Sequence, residues 1–150
     1  MGDSMTSDHM RRIVSVRADD GFRVALVWSD GAEAVVDLSG TVGRYPFEAL
    51  ADKAFFERVE ASEWGRALEW PGDVGISSES LWFDTLTAIG RDDTRDFLEW
   101  RYRHGLSLSK AAEALGLSQR QIAYYSNGEK PVPRTILLAC SGWETLTEAA

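Results

Sequence analysis

From residue 11 to about residue 39 apolar and polar positions alternate with period two. Val14, Val16 and Ala18 share one face, then Phe22, Val24, Leu26 and Trp28, then Ala34, Val36 and Leu38. Period two is the signature of half-buried strands. Asp19-Asp20-Gly21 and Ser29-Asp30-Gly31 separate the runs, and Asp-Gly favours a hairpin because Gly accepts positive φ. The pattern predicts a three-stranded antiparallel meander. Beyond residues 40–46 the period lengthens. Phe47, Leu50, Ala51, Ala54 and Phe55 fall on one helical face, which predicts a helix able to bury the open face of the meander. Residues 64–70 read as a strand ended by Pro71-Gly72, and residues 77–86 as a short helix. Trp28, Trp64, Trp70 and Trp82 are expected to supply much of the buried area of so small a domain.

Ile89-Gly90-Arg91-Asp92-Asp93 reads as a joint. Asp93 or Thr94 can cap the helix that follows, and the chain is helical in pattern almost to its end. The expected fold class is α+β. An antiparallel-sheet-plus-helix domain spans residues 11–90 and an all-α domain spans residues 91–150. Residues 1–10 are small, polar and aperiodic, a flexible tail by composition.

Charge sharpens this division. The 150 residues carry a net −8, a poor omen for binding a polyanion. Residues 1–90 hold eight basic and sixteen acidic side chains, whereas residues 91–150 hold eight of each. Between residues 101 and 134 six basic residues (Arg101, Arg103, Lys110, Arg120, Lys130, Arg134) stand against only Glu113 and Glu129. An acidic module is thus followed by a locally basic one. No apolar run approaches the roughly 20 residues of a membrane helix, and no signal segment opens the chain. A single Cys140 and two histidines, His9 and His104, leave no internal disulfide and no basis for a metal site. A cytoplasmic protein without cofactor or metal is the expectation.

The informative stretch runs over residues 105–128. A helix-turn-helix needs a small residue where its two helices cross, a Gly at the turn and an apolar β-branched residue inside the second helix. Ala112, Gly116 and Ile122 supply these in register, with Leu108, Leu115 and Leu117 around the turn. Ser118 with Gln121 forms a capping box, and Asn127-Gly128 before Pro131 is a stop signal. With Ile122 inward, 100° per residue turns Ser118, Tyr125 and Ser126 towards the core. Arg120, Tyr124 and Asn127 then point outward, flanked by Gln119, Gln121 and Ala123. Arg can donate two hydrogen bonds to guanine and Gln can pair with adenine in the major groove. The helix N-terminus, at Ser118, Gln119 and Arg120, suits bases or phosphates. Lys110, Lys130 and Arg134, together with Arg101 and Arg103, are candidate phosphate neutralisers.

On these residues the segment 94–146 resembles the lambda-repressor-like (XRE-type) helix-turn-helix domain, in which five short helices pack together. The likeness assigns helices to 94–104, 108–115 and the recognition helix 118–127, with a closing pair at 133–140 and 143–147. Asn127-Gly128-Glu129-Lys130-Pro131 followed by Ile136-Leu137-Leu138-Ala139 matches that family's ending. Two positions depart from it. Ser109 stands where the family commonly has a DNA-contacting Gln, and Tyr125-Ser126 replaces an acidic pair. The resemblance implies a sequence-specific regulator of transcription that binds double-stranded DNA as a homodimer, its recognition helices about 34 Å apart.

The front half resembles the bacterial domain of unknown function 2442 family. Trp28-Ser29-Asp30-Gly31, Asp37, Phe47, Leu50, Phe55, Trp70-Pro71, Asp73, Ile76 and Leu81 carry the likeness. It implies an α+β fold and a bacterial source but no activity. That acidic domain could dimerise the protein, sense a small effector or hold a protein partner. The alternative function is therefore an interaction module, antitoxin-like, whose acidic front binds a basic partner. Glu63, Glu69, Asp73, Glu79 and Asp84 around the tryptophans could line a glycosidase-like cleft, but a solvated rim is the simpler reading. With no phosphate loop, nucleophile elbow or Cys–His pair, the expectation is not an enzyme. Cys140, Trp100 and Trp143 read as core, and His104 as a surface residue at a helix C-terminus.

Overall fold

The computed structural model describes residues 11–149, with the side chain of residue 149 excepted, so the expected tail at residues 1–10 lies outside the described residues. The chain divides into two compact units, Arg11–Ile89 and residues 90–149.

The first unit opens with the antiparallel meander β1 (Ile13–Asp19), β2 (Arg23–Trp28) and β3 (Glu33–Asp37), in that spatial order. Val24, Leu26, Trp28, Val36 and Leu38 are buried, as the alternation requires. The first strand departs from it. A bulge between Ile13 and Ser15 shifts the register, so Ile13 is buried and Val14 is 55% exposed. An extra residue in one strand reverses the face of everything before it. At the second hairpin Gly31 takes φ 92°, and Trp28 both donates to Ala32 O and accepts from Gly31 N. That is a three-residue loop closed by a Gly in the left-handed region.

The single helix expected over residues 47–55 is two pieces: a 3-10 turn, Glu48–Ala51, and α1 (Lys53–Phe56). Asp52 separates them with extended backbone (ψ 117°) while its carboxylate accepts from the N–H groups of Ala54 and Phe55. The break resets the phase, so Leu50 and Phe56 are buried while Ala51 and Ala54 are exposed. A second sheet, β4 (Glu60–Ala61), β5 (Ala67–Trp70) and β6 (Val74–Ser77), follows in antiparallel order. Only its middle strand was legible in the pattern. Trp64 belongs to the loop before β5 and is 66% exposed, so it is not core. Helix α2 (Ser78–Ala88), capped by the Ser77 hydroxyl, packs on the meander. Trp28 Nε1 donates to Thr85 Oγ1 at 3.0 Å, and the rings of Trp28 and Trp82 meet edge-on at 5.1 Å. Trp70 Nε1 donates to the carbonyl of Phe56 at 2.9 Å.

The second unit holds helices α3 (Asp92–Arg103), α4 (Leu108–Leu115), α5 (Gln119–Asn127) and α6 (Arg134–Ala149) around Phe97, Trp100, Ala111, Ala112, Ile122, Tyr125, Val132 and Cys140. Two expectations change. Neither Asp93 nor Thr94 caps α3: Arg91 holds that position without a side-chain hydrogen bond. The closing pair of helices is one continuous helix, α6. Ile136, Leu137, Cys140 and Trp143 keep one inward stripe across Gly142, and a mid-helix Gly costs only about 1 kcal/mol.

Candidate nucleic-acid interface

Helices α4 and α5 are joined by three residues with explicit signals at both ends. Ser107 caps α4, its hydroxyl accepting from Lys110 N–H at 3.2 Å. Gly116 ends α4 at φ 70°, and Leu117 N–H closes back on Ala112 O at 3.0 Å. A Cβ at Gly116 would meet nothing within 4 Å, so the requirement for Gly there is one of backbone conformation and not of space. Ser118 then caps α5 by accepting from Gln121 N–H at 3.1 Å. Ala112 and Ile122 are both buried between the helices. Gly128, at φ 83°, terminates α5.

This frame decides what each candidate side chain can reach. Ser118, Gln119, Arg120, Gln121 and Asn127 are exposed, and Ala123 and Tyr124 are half-buried. Of the inward set Tyr125 and Ser126 are buried, but Ser118 is exposed, because as the N-cap it has left the helical phase. Lys110, in the first turn of α4, Lys130 and Arg134 are exposed cations. Lys130 Nζ lies 4.4 Å above the ring of Tyr124, a cation–π contact that draws the two outward residues together. Asn127 is engaged locally: its Oδ1 accepts from Glu129 N–H at 2.9 Å and its Nδ2 donates to Glu129 Oε1 at 3.3 Å. It serves the turn first. Ser109 is half-buried, its hydroxyl 3.2 Å from that of Ser107.

Arg101 and Arg103 leave the set of phosphate candidates. Arg101 is fully buried and donates to Ser126 Oγ at 2.8 Å and Leu106 O at 3.1 Å. It fastens α3 to α5. Arg103 pairs with Glu144 on α6 at 2.6 Å, and His104 Nε2 meets the same carboxylate at 2.7 Å with its ring edge-on to Trp143 at 5.0 Å. The hydrogen bond from His104, then that from Arg103, holds the Glu144 carboxyl below its ordinary value. His104 is thus a packed, paired residue at the α3–α6 contact.

Arg91 and Asp93 are the residues that sequence reasoning missed. Arg91 donates to Gly128 O at 3.0 Å and Thr94 Oγ1 at 2.9 Å, and Asp93 Oδ2 accepts from Val132 N–H at 2.8 Å. Together they hold the turn that follows α5. Partial burial would raise the Asp93 carboxyl, but the Val132 and Thr94 N–H groups and Arg91 outweigh it and leave it lowered. Their partners lie 37 and 39 residues along the chain, beyond any local pattern.

In the first unit Glu63, Glu69, Asp73 and Glu79 are exposed and Asp84 is half-buried. Among the described residues no three His, Cys, Asp or Glu side chains are grouped to hold a metal ion, and no helix is long and apolar enough to cross a membrane.

An antiparallel-sheet unit followed by a four-helix unit, with a capped helix pair presenting Gln and Arg, is the class of protein these features define. Residues 13–84 match the family described as Protein of unknown function (DUF2442), as the front-half motifs suggested. The chain is also similar to the crystal structure of Putative DNA Binding Protein NE0471 from Nitrosomonas europaea ATCC 19718. The two are 33% identical with a TM-score of 0.71, over 89% of this chain and 86% of that one. The chain belongs to the same family as that protein, and its residues 13–84 are a DUF2442 domain. No curated protein matches it.

Proposed function

We propose that this chain is a sequence-specific double-stranded DNA-binding protein, a bacterial transcriptional regulator whose residues 91–150 act as a lambda-repressor-like helix-turn-helix domain. The observation that carries the reading is the Ser118-capped helix α5, held against α4 by Ala112, Gly116 and Ile122, with Gln119, Arg120 and Gln121 exposed in its first turn. The 33% identity to a protein named for DNA binding supports the same reading. In it, Arg120, Gln119 and Gln121 meet base edges, with Ala123 and Tyr124 behind them, and Ser118 offers the helix N-terminus to a phosphate. Lys110, Lys130 and Arg134 neutralise phosphates. Asn127 contributes through the turn it braces, and Ser109 forgoes the contact that a Gln makes there. The fused helix α6 makes the domain a four-helix variant of the five-helix plan. Two copies act together on a two-fold site. Catalysis, a metal and a cofactor have no part in the proposal.

Two substitutions separate readout from neutralisation. Arg120→Ala is expected to cost about 1–3 kcal/mol on the best site and to relax its sequence preference. Lys110→Ala is expected to weaken binding alike on all sequences and to lower the salt slope by about 1. Equal affinity of wild type and Arg120→Ala for every duplex tested would refute base readout by α5.

A further inference from the structure

The outer face of the β1–β3 meander bears an open hollow of mixed polar and apolar lining, flanked by one cation and one anion. The register aligns Arg17 with Ala25 and Val35 in one row, and Ser15 with Val27 and Glu33 in the next. A shallow hollow of about 490 Å³ has Ala25 and Val27 in its floor and Arg17, Glu33, Val35 and Ile89 at its rim. Val35 is 49% exposed and Ile89 43%.

We infer that this face is where a second copy of the chain docks. Arg17 on β1 and Glu33 on β3 lie at opposite corners of the two rows, with Ala25 and Val27 between them. A two-fold axis lying in the face, perpendicular to the line from Arg17 to Glu33 and passing between Ala25 and Val27, brings Arg17 of each copy over Glu33 of the other and sets Val35 beside Val35. Such an isologous contact satisfies both charges with one geometry. Arg17 now reaches Asp19 of its own strand at 3.3 Å, an exposed pair of little worth that can exchange.

Edge-to-edge growth of the sheet is disfavoured by the same residues. Between two copies paired antiparallel about Val35 of β3, Glu33 would face Asp37 twice, and like charges directly opposite one another destabilise a ladder. Face-to-face contact, in contrast, sets opposite charges together. The two rows offer six side chains, with Ile89 beside them, well short of the roughly 20–30 residues per side of a standard interface, so the dimer is weak in isolation and reinforced when one DNA site holds both copies. The inference deepens the dimer part of the proposed function and rests on that part alone.

Sedimentation velocity of the full chain without DNA, from about 5 to 500 μM, tests it. Wild type is expected to show a reversible monomer–dimer equilibrium within that range. Val35→Asp is expected to abolish it, while Arg17→Glu and Glu33→Arg each weaken it about tenfold and the double swap restores it to within about threefold. All three positions are exposed or at the rim, and an unchanged melting transition verifies that the variants fold. A wild type monomeric throughout the range overturns the inference. So does a dimer indifferent to these changes, and its loss with Leu146→Glu would place the contact on the exposed Leu138 and Leu146 of α6. Binding of a half-site duplex by the monomeric variants distinguishes loss of the docking face from loss of DNA reading.

Discussion

Arg101 shows how far a residue's chemistry can be from its role. In the sequence it is one of six cations in a basic stretch, yet it is fully buried and held by Ser126 Oγ and Leu106 O. Its side-chain partner Ser126 lies 25 residues along the chain and is supplied by tertiary packing, not by local spacing. Removing it leaves a cavity and strips polar atoms of their donor. Arg101→Ala is expected to cost about 2–4 kcal/mol in urea unfolding, where a surface arginine would cost about 0.5 or less. Cys140 is the opposite case, since its smallness and isolation in the chain already read as core. Burial, with the Glu144 charge beside it, pushes its thiol up to about 12. Native protein is therefore expected to resist iodoacetamide at pH 8 and to label fully in urea; rapid native labelling would contradict its burial.

At the scale of elements, helix α6 is the test of why two short helices became one. If Gly142 is merely tolerated inside a helix, with open space where a Cβ would sit, Gly142→Ala should stabilise the protein by up to about 1 kcal/mol. A loss of stability would mean that the glycine is needed for something other than helix geometry. Ser118→Ala, which removes the cap on α5, should cost about 1 kcal/mol. Elements with a signal of their own were legible: the hairpins at Gly21 and Gly31, the cap Ser118 and the Gly116 turn. What stayed hidden depends on single residues acting against a pattern. The bulge at Val14 reverses a face without altering composition. Asp52 interrupts an intact helical stripe by capping its own next turn. The exposed row Gln119, Arg120 and Gln121 followed from one inward residue, Ile122, whereas the Arg91–Asp93 clamp depends on distant chain.

For the whole molecule, charge links folding and function. Asp93 and Glu144 both have carboxyl groups lowered from ordinary values of 3.8 and 4.5. A lowered folded value means that their stabilisation is complete above those ordinary values and is lost as pH falls through the lowered ones. Asp96 runs the other way: burial, then Glu99 and Asp92, raises it, so acid first relieves that strain. Melting temperature is thus expected to change little down to about pH 5 and then to fall, with a shallower fall in Glu144→Gln. An identical acid profile in that variant would remove Glu144 from the explanation. The sixteen acidic residues before residue 91 repel a polyanion, and in the proposed function Lys110, Arg120, Lys130 and Arg134 carry the DNA contacts. The most direct measurement is selection of bound duplexes from a random library, followed by anisotropy titration of the winner at two salt concentrations. An enriched, two-fold-symmetric site with steep salt dependence, lost in Arg120→Ala, is the expected result. No enrichment, with binding that ignores both sequence and Arg120, would contradict the DNA-reading function and leave α4 and α5 as scaffold.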